Sequence, residues 1–221
     1  KEGSPVYVFL TAEFQVFEER HFINGTQKDI MSRAYLHFIT PSKWSAEAMK
    51  KLGWPHVVIA HGVDQTKFYR ISNKEREEIR SRLGFRGKYI WLNIGAMTGN
   101  KGLDLLIQGF AEVSLRYPNG VLLLKGLKDL YNSREFVERW MKLVPENQRP
   151  DIRSKIIFTD DRLSFKELNS LYNIADCYVS QYRAEGFNLP ILEAASAGLC
   201  SLVSKGGSTD DLVLEGMSLI H

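Results

Sequence analysis

The residues best placed to do chemistry lie in one stretch, Arg183-Ala184-Glu185-Gly186-Phe187-Asn188-Leu189-Pro190-Ile191-Leu192-Glu193. It follows Cys177-Tyr178-Val179-Ser180, an apolar run that reads as a buried parallel strand. It leads into Ala194-Ala195-Ser196-Ala197-Gly198, which reads as helix and then helix stop. Two carboxylates therefore bracket a strand-to-helix turn. Pro190 suits the first helical turn, where its absent N–H would be unpaired in any case, and Asn188 reads as the N-cap. The unpaired amides of such a turn, with the helix dipole behind them, form an anion site. A ligand over it would set a phosphate on the amides and hydroxyls on Glu185 and Glu193. Each acid also has a plainer reading, Glu193 as a dipole-stabilised helix acid and Glu185 as a solvated loop acid.

A second loop carries Gly95-Ala96-Met97-Thr98-Gly99-Asn100-Lys101-Gly102. A lysine is a compact cation with three donors, suited to a diphosphate. Glycines beside it read either as turn residues or as points of close backbone approach to a phosphate.

Alternating strands and helices must position these loops. Strands are expected at 5–10, 35–40 and 56–60, with helices at 26–34 and 42–52, the latter capped by Ser42. A charged helix from Asn73 to Leu83 reads as a solvated connector. A second series follows: strands at 88–94, 121–125, 155–159, 177–180, 200–204 and 217–220, and helices at 103–116, 134–144, 164–175, 189–198 and 208–215. Ser164 with Glu167 has the pattern of a capping box. The fold class is α/β, a doubly wound parallel-sheet Rossmann-like domain at 88–221 behind a connector at 71–87 and a partial Rossmann-like domain at 1–70. Both chemical loops fall at carboxyl ends of strands, where open α/β sheets bind ligands.

Composition narrows the classes. The chain has 221 residues, 44% apolar and 25% charged, with a net charge of +3. That charge is too small to argue for nucleic acid or an anionic membrane, and no apolar run approaches a membrane span. It starts at Lys1 with neither Met nor apolar leader, so the natural start is expected upstream. Cys177 and Cys200 both read as buried free thiols. The five histidines form no ligand pattern. Asp160-Asp161 and Asp210-Asp211 are adjacent pairs whose side chains diverge, so no metal is expected.

The run from Glu185 to Glu193 resembles the E-x7-E signature of retaining GT-B glycosyltransferases, most closely family 4. Asn93-Ile94-Gly95 through Lys101-Gly102-Leu103 resembles that family's glycine loop and its lysine. Ser164 to Ala175 resembles its following helix, and Ser204-Lys205-Gly206-Gly207 its later glycine pair. Ser42 with His61-Gly62-Val63-Asp64 and Phe68 resembles the end of its N-terminal domain and hinge. The resemblance implies two Rossmann-like domains and sugar transfer from a UDP- or GDP-sugar, with retention of configuration and without a metal or other cofactor. It implies that Lys101 contacts the donor phosphates and that Glu185 orients the sugar. Glu193 would accept the ribose hydroxyls, and the amides of Gly186, Phe187, Asn188 and Leu189 would support the leaving group. The base would lie near Thr159 and Gly126.

The chain departs from the family where an arginine usually follows Gly95 and here stands Ala96. Lys101 and the amides then suffice, or another cation such as Arg183 substitutes, or activity is weak. It also lacks the histidine usual after the first strand, where Leu10-Thr11-Ala12-Glu13 stands; Glu13 and His21 are the nearby polar groups. The first domain is expected to be incomplete and the final helices absent. A sugar, lipid-linked or protein acceptor is open. A cytoplasmic location is expected, with peripheral contact at the inner membrane face through an upstream part. The alternatives are a non-catalytic nucleotide-sugar-binding module and another GT-B enzyme such as an epimerase or phosphorylase.

Overall fold

The computed structural model describes residues 4–18, 29, 33, 35–128, 131–212 and 217–220. His21 and nearly all of the helix expected at 26–34 lie outside them, as does the end of the helix expected at 208–215. The described chain divides into two compact units: residues from 1–62, 184–188 and 206–213 form one, and residues from 63–183, 189–205 and 214–221 the other.

The first unit holds a parallel sheet of β1 (Val6–Phe9), β2 (Leu36–Thr40) and β3 (His56–Val58), in that order. Helix α1 (Lys43–Lys51) begins at Ser42, whose hydroxyl accepts from the Ser45 amide at 3.0 Å. Ala46 and Met49 on its inner face are buried, and Met49 joins Phe38 and Trp54 in a small core.

The second unit opens with helix α2 (Asn73–Arg82) and continues with β4 (Tyr89–Ile94), a 3-10 turn (Gly99–Lys101), α3 (Leu103–Arg116), β5 (Gly120–Lys125), α4 (Ser133–Met141), α5 (Arg149–Lys155), β6 (Ile156–Thr159), α6 (Phe165–Ile174), β7 (Cys177–Ser180), α7 (Leu189–Ser196), β8 (Ser201–Ser204) and β9 (Met217–Ile220). All neighbouring strands are parallel in the order β6-β5-β4-β7-β8-β9. Relabelled from β4, this is 3-2-1-4-5-6, the order of a dinucleotide-binding Rossmann sheet. Strand β5 is buried throughout, because helices cover both faces of a parallel sheet. Leu122 and Leu124 point to the core formed with α3, α4 and α5, while Val121 and Leu123 point to the core formed with α6 and α7. The order reverses between β4 and β7, so the loops leaving these two strands part at the switch point.

Four expectations change. The span 63–87 packs with the second unit instead of standing as a separate connector. Helix α2 is not simply solvated, since Arg80 is 4% exposed. Its guanidinium donates to Asp176 Oδ2 at 3.0 Å and to the carbonyl of Ile174 at 2.6 Å, while Arg76 donates to the carbonyls of Asn173 and Ala175. The planar fork of arginine satisfies the carbonyls at the end of α6, so a charged helix docks with Ile79 as its one apolar residue against the core. Helix α5, opened by Arg149-Pro150, has no counterpart in the sequence reading. Cys177 is buried but Cys200 is exposed, because it lies in the turn just before β8 begins.

Candidate active site

In the second unit, hydrogen bonding continues past the strand ends. The Gly95 amide donates to the Lys125 carbonyl at 3.0 Å and the Gly126 amide to the Thr159 carbonyl at 2.8 Å. These bonds set Gly95, Gly126 and Thr159 side by side at the carboxyl edge. A cavity of about 290 Å³ opens there, lined among others by Gly95, Ala96, Lys125, Gly126, Tyr131 and Arg162.

The loop from 95 to 102 is tied to the residues after β7. Gln181 Nε2 donates to the Lys101 carbonyl at 2.9 Å, and the Arg183 amide to the Asn100 carbonyl at 2.8 Å. Gly102 has φ +65°, and a Cβ there would stand 2.1 Å from the Gln181 carbonyl oxygen. Its close approach is therefore to this neighbouring loop, which corrects the expectation of a phosphate contact at that position. Gly95 and Gly99 have open space where a Cβ would be. Met97 takes a left-handed backbone, φ +59°, with its side chain buried in the α3 core. A non-glycine residue holds that conformation only where its surroundings enforce it.

Arg183 forms a fork with Asp104, at 2.6 and 2.7 Å, and donates to the Gly99 carbonyl at 3.1 Å. The fork holds the Asp104 carboxyl below the usual carboxylate range. The guanidinium offered as a substitute for the arginine absent at Ala96 is thus committed to pinning the turn that presents Lys101.

Glu193 is the fifth of the eight residues of α7 and is half-buried. Tyr172, fully buried on α6, donates its hydroxyl to Glu193 Oε2 at 2.5 Å. Burial pushes the Glu193 carboxyl up, and the tyrosine bond pulls it partly back. Burial likewise raises the Tyr172 phenol well above its ordinary value. The sequence puts Tyr172 on this helix but assigns it no role. Its only signal was a tyrosine within the helix resembling the family pattern.

The 184–188 segment belongs with the first unit. The Gly186 carbonyl accepts from Ser42 Oγ at 2.6 Å and Ser45 Oγ at 3.2 Å. The Gly186 amide donates to Glu185 Oε1 at 3.2 Å, so this N–H already has a carboxylate partner. A Cβ on Gly186 would lie 1.9 Å from Thr11 Cγ2. Phe187 packs edge-on to the His61 ring at 4.9 Å. Asn188 has φ +76°, not the extended backbone of an N-cap; a short polar side chain tolerates that conformation in a turn. Glu13 is held through its carbonyl, which accepts from the Trp44 indole at 2.8 Å. Ser164 and Glu167 form the capping box that opens α6, with the Ser164 amide donating to Glu167 at 2.8 Å.

Residues 88–220 match the family described as Glycosyl transferases group 1. The chain belongs to that family. Mannosylfructose-phosphate synthase of Agrobacterium fabrum is 30% identical over 157 residues, which is 68% of this chain and 32% of the synthase. The C-terminal domain of LpcC, a group 1 protein of Francisella tularensis, superposes with a TM-score of 0.60 at 25% identity, over 72% of this chain and 80% of that one. Anabaena Alr3699/HepE, crystallised in complex with UDP, superposes with a TM-score of 0.76 at 19% identity, over 98% of this chain and 58% of that one. The α/β fold with parallel Rossmann-like sheets is thus that of GT-B glycosyltransferases. This group 1 chain spans less than two thirds of the synthase and of the Anabaena protein. Among its described residues no helix is long and apolar enough to cross a membrane, and no group of three or more His, Cys, Asp or Glu could hold a metal ion.

Proposed function

We propose that this group 1 chain binds a nucleoside-diphosphate sugar and serves as the donor-side part of a retaining glycosyltransferase. The observation that carries the reading is the carboxyl edge of the 3-2-1-4-5-6 sheet: Glu193 oriented by Tyr172, a pinned loop presenting Lys101, and a cavity beside Gly95 and Gly126. The UDP held by the Anabaena relative supports it.

The bond from the anomeric carbon to the phosphate oxygen breaks, and the nucleoside diphosphate leaves with that electron pair. The acceptor hydroxyl oxygen bonds to the same carbon from the face the diphosphate leaves, and its proton passes to the departing phosphate oxygen. Lys101 neutralises the diphosphate as charge develops, a preorganised electrostatic contribution. Glu193 accepts the ribose hydroxyls, Glu185 orients the sugar, and the turn at 186–189 supports the phosphates through its amides beyond the Gly186 N–H. The second unit, which holds most of 88–221, forms the donor domain in this reading, and 1–62 form part of the acceptor side. The acceptor is a sugar, a lipid-linked sugar or a protein. A cytoplasmic location, with peripheral contact at the inner membrane face, goes with this chemistry.

Calorimetric titration with UDP- and GDP-sugars tests the donor site. The wild type should bind one of them, and Lys101→Ala and Glu193→Ala should each weaken binding about tenfold or more, the scale of a hydrogen bond to a charged group. Absence of binding by the wild type overturns the reading. Ala96, with Arg183 engaged by Asp104, favours a second reading: a module that binds the donor without turning it over. Release of free nucleoside diphosphate from the donor sugar would exclude it.

A further inference from the structure

Lys125 ends β5, a strand buried throughout, and is itself 6% exposed. Lysines are almost never so buried unless paired. No ion pair reaches it among the described residues, and its ammonium makes one hydrogen bond, to the carbonyl of Gly126. An ammonium carries three donors and no acceptor, so two N–H groups remain at the wall of the cavity that Lys125 lines. Burial lowers its pKa, while Asp160 and Asp161 act in the opposite direction. Beside the Arg162 guanidinium, the rest of the wall suits a flat ring: Ile94, Leu127, Leu163 and Leu168 are apolar, and Tyr131 adds an aromatic face.

Resting on the nucleotide-binding reading above, we propose that Lys125 reads the donor's base by donating to the carbonyl oxygen at pyrimidine O4 or guanine O6, so that the site takes uracil, thymine or guanine and rejects adenine and cytosine. Uracil O4, thymine O4 and guanine O6 are acceptors, whereas adenine and cytosine present an amino group at the same edge. An amino group facing a buried ammonium sets donor against donor and leaves the lysine without its bond. Rejection on that ground is stronger than loss of one apolar contact, because a desolvated charge stays unpaired.

Titration of UDP, GDP and ADP into the wild type, Lys125→Met and Lys125→Gln tests this. The wild type should bind UDP or GDP at least about tenfold more tightly than ADP, the scale of one charged hydrogen bond. Both variants should bring that affinity down to the ADP level and leave ADP binding unchanged. The diphosphate of 4-deoxyuridine, which lacks the O4 carbonyl and keeps O2, should bind the wild type as weakly as ADP, and that arm holds if the variants do not fold. Equal weakening of every nucleotide by the variants would mean that Lys125 serves the phosphates or the fold, and would overturn the proposal while leaving the donor site standing. Equal wild-type affinity for UDP, GDP and ADP also overturns it. If the wild type binds no nucleotide, the donor-site reading fails and this proposal fails with it.

Discussion

Tyr172 on α6 donates to Glu193 on α7 at 2.5 Å, and the tyrosine is fully buried while the acid is half-buried. One carboxylate oxygen is thereby fixed by the protein, and the orientation of the other follows. Burial raises the Glu193 carboxyl above 4.5, so its use as an acceptor should fade as pH falls through that raised value. Tyr172→Phe removes the bond that favours the carboxylate and moves the loss to higher pH. Nucleotide affinity measured from pH 8 to pH 5 should therefore fall earlier in the variant. For stability the sign reverses. The folded state holds the Glu193 proton more tightly than the unfolded chain, so this group's contribution is fully present below 4.5 and is lost as pH rises through the folded pKa. Superimposable binding profiles would sink the positioning role.

Strand and helix alternation in the second unit was legible, because apolar runs of buried strands and the 3.6-residue pattern of α3 are local signals. The two acids and Lys101 were legible as a motif. Their supports were not. Arg80 reads as a solvated cation until Asp176, distant in sequence, is folded against it. Gly102 reads as a phosphate glycine until the Gln181 carbonyl is placed 2.1 Å from its missing Cβ. In each case the meaning of the residue lies in a partner that no local pattern names.

The Arg183–Asp104 fork predicts a stability effect separate from donor binding. Asp104 is largely shielded, with a side-chain exposure of 14%, whereas Arg183 is at 45%, so solvent screens part of the interaction. Arg183→Ala should cost about 1 kcal/mol, a fall in Tm of about 2–4 °C for a chain of this size. Asp104 has a lowered pKa, so the contribution is present above its ordinary 3.8 and fades as pH falls through the folded value. Denaturation curves of wild type and variant should differ at pH 7 and converge in acid. A difference that persists unchanged in acid would assign the loss to packing.

Gly186 and Thr11 should be energetically coupled. Gly186→Ala places a Cβ 1.9 Å from Thr11 Cγ2 and should destabilise by about 1–3 kcal/mol, as overpacking does. Thr11→Ser removes the offending methyl and should restore most of that loss. A double-mutant cycle by urea denaturation reads the coupling directly. Strictly additive effects would show that the clash is relieved elsewhere.

The two thiols should separate cleanly in a labelling experiment. Burial, with the neighbouring Cys200 as a smaller contributor, pushes the Cys177 thiol up to about 12, so at pH 8 only about one in ten thousand molecules carries its thiolate. Cys200 is exposed. The native protein should therefore react with one equivalent of a thiol reagent in a fast phase that Cys200→Ser abolishes. The second equivalent should appear only on unfolding, with a rate that follows denaturant. Two fast equivalents in the native state would mean that β7 is open to solvent, contrary to its burial on both faces.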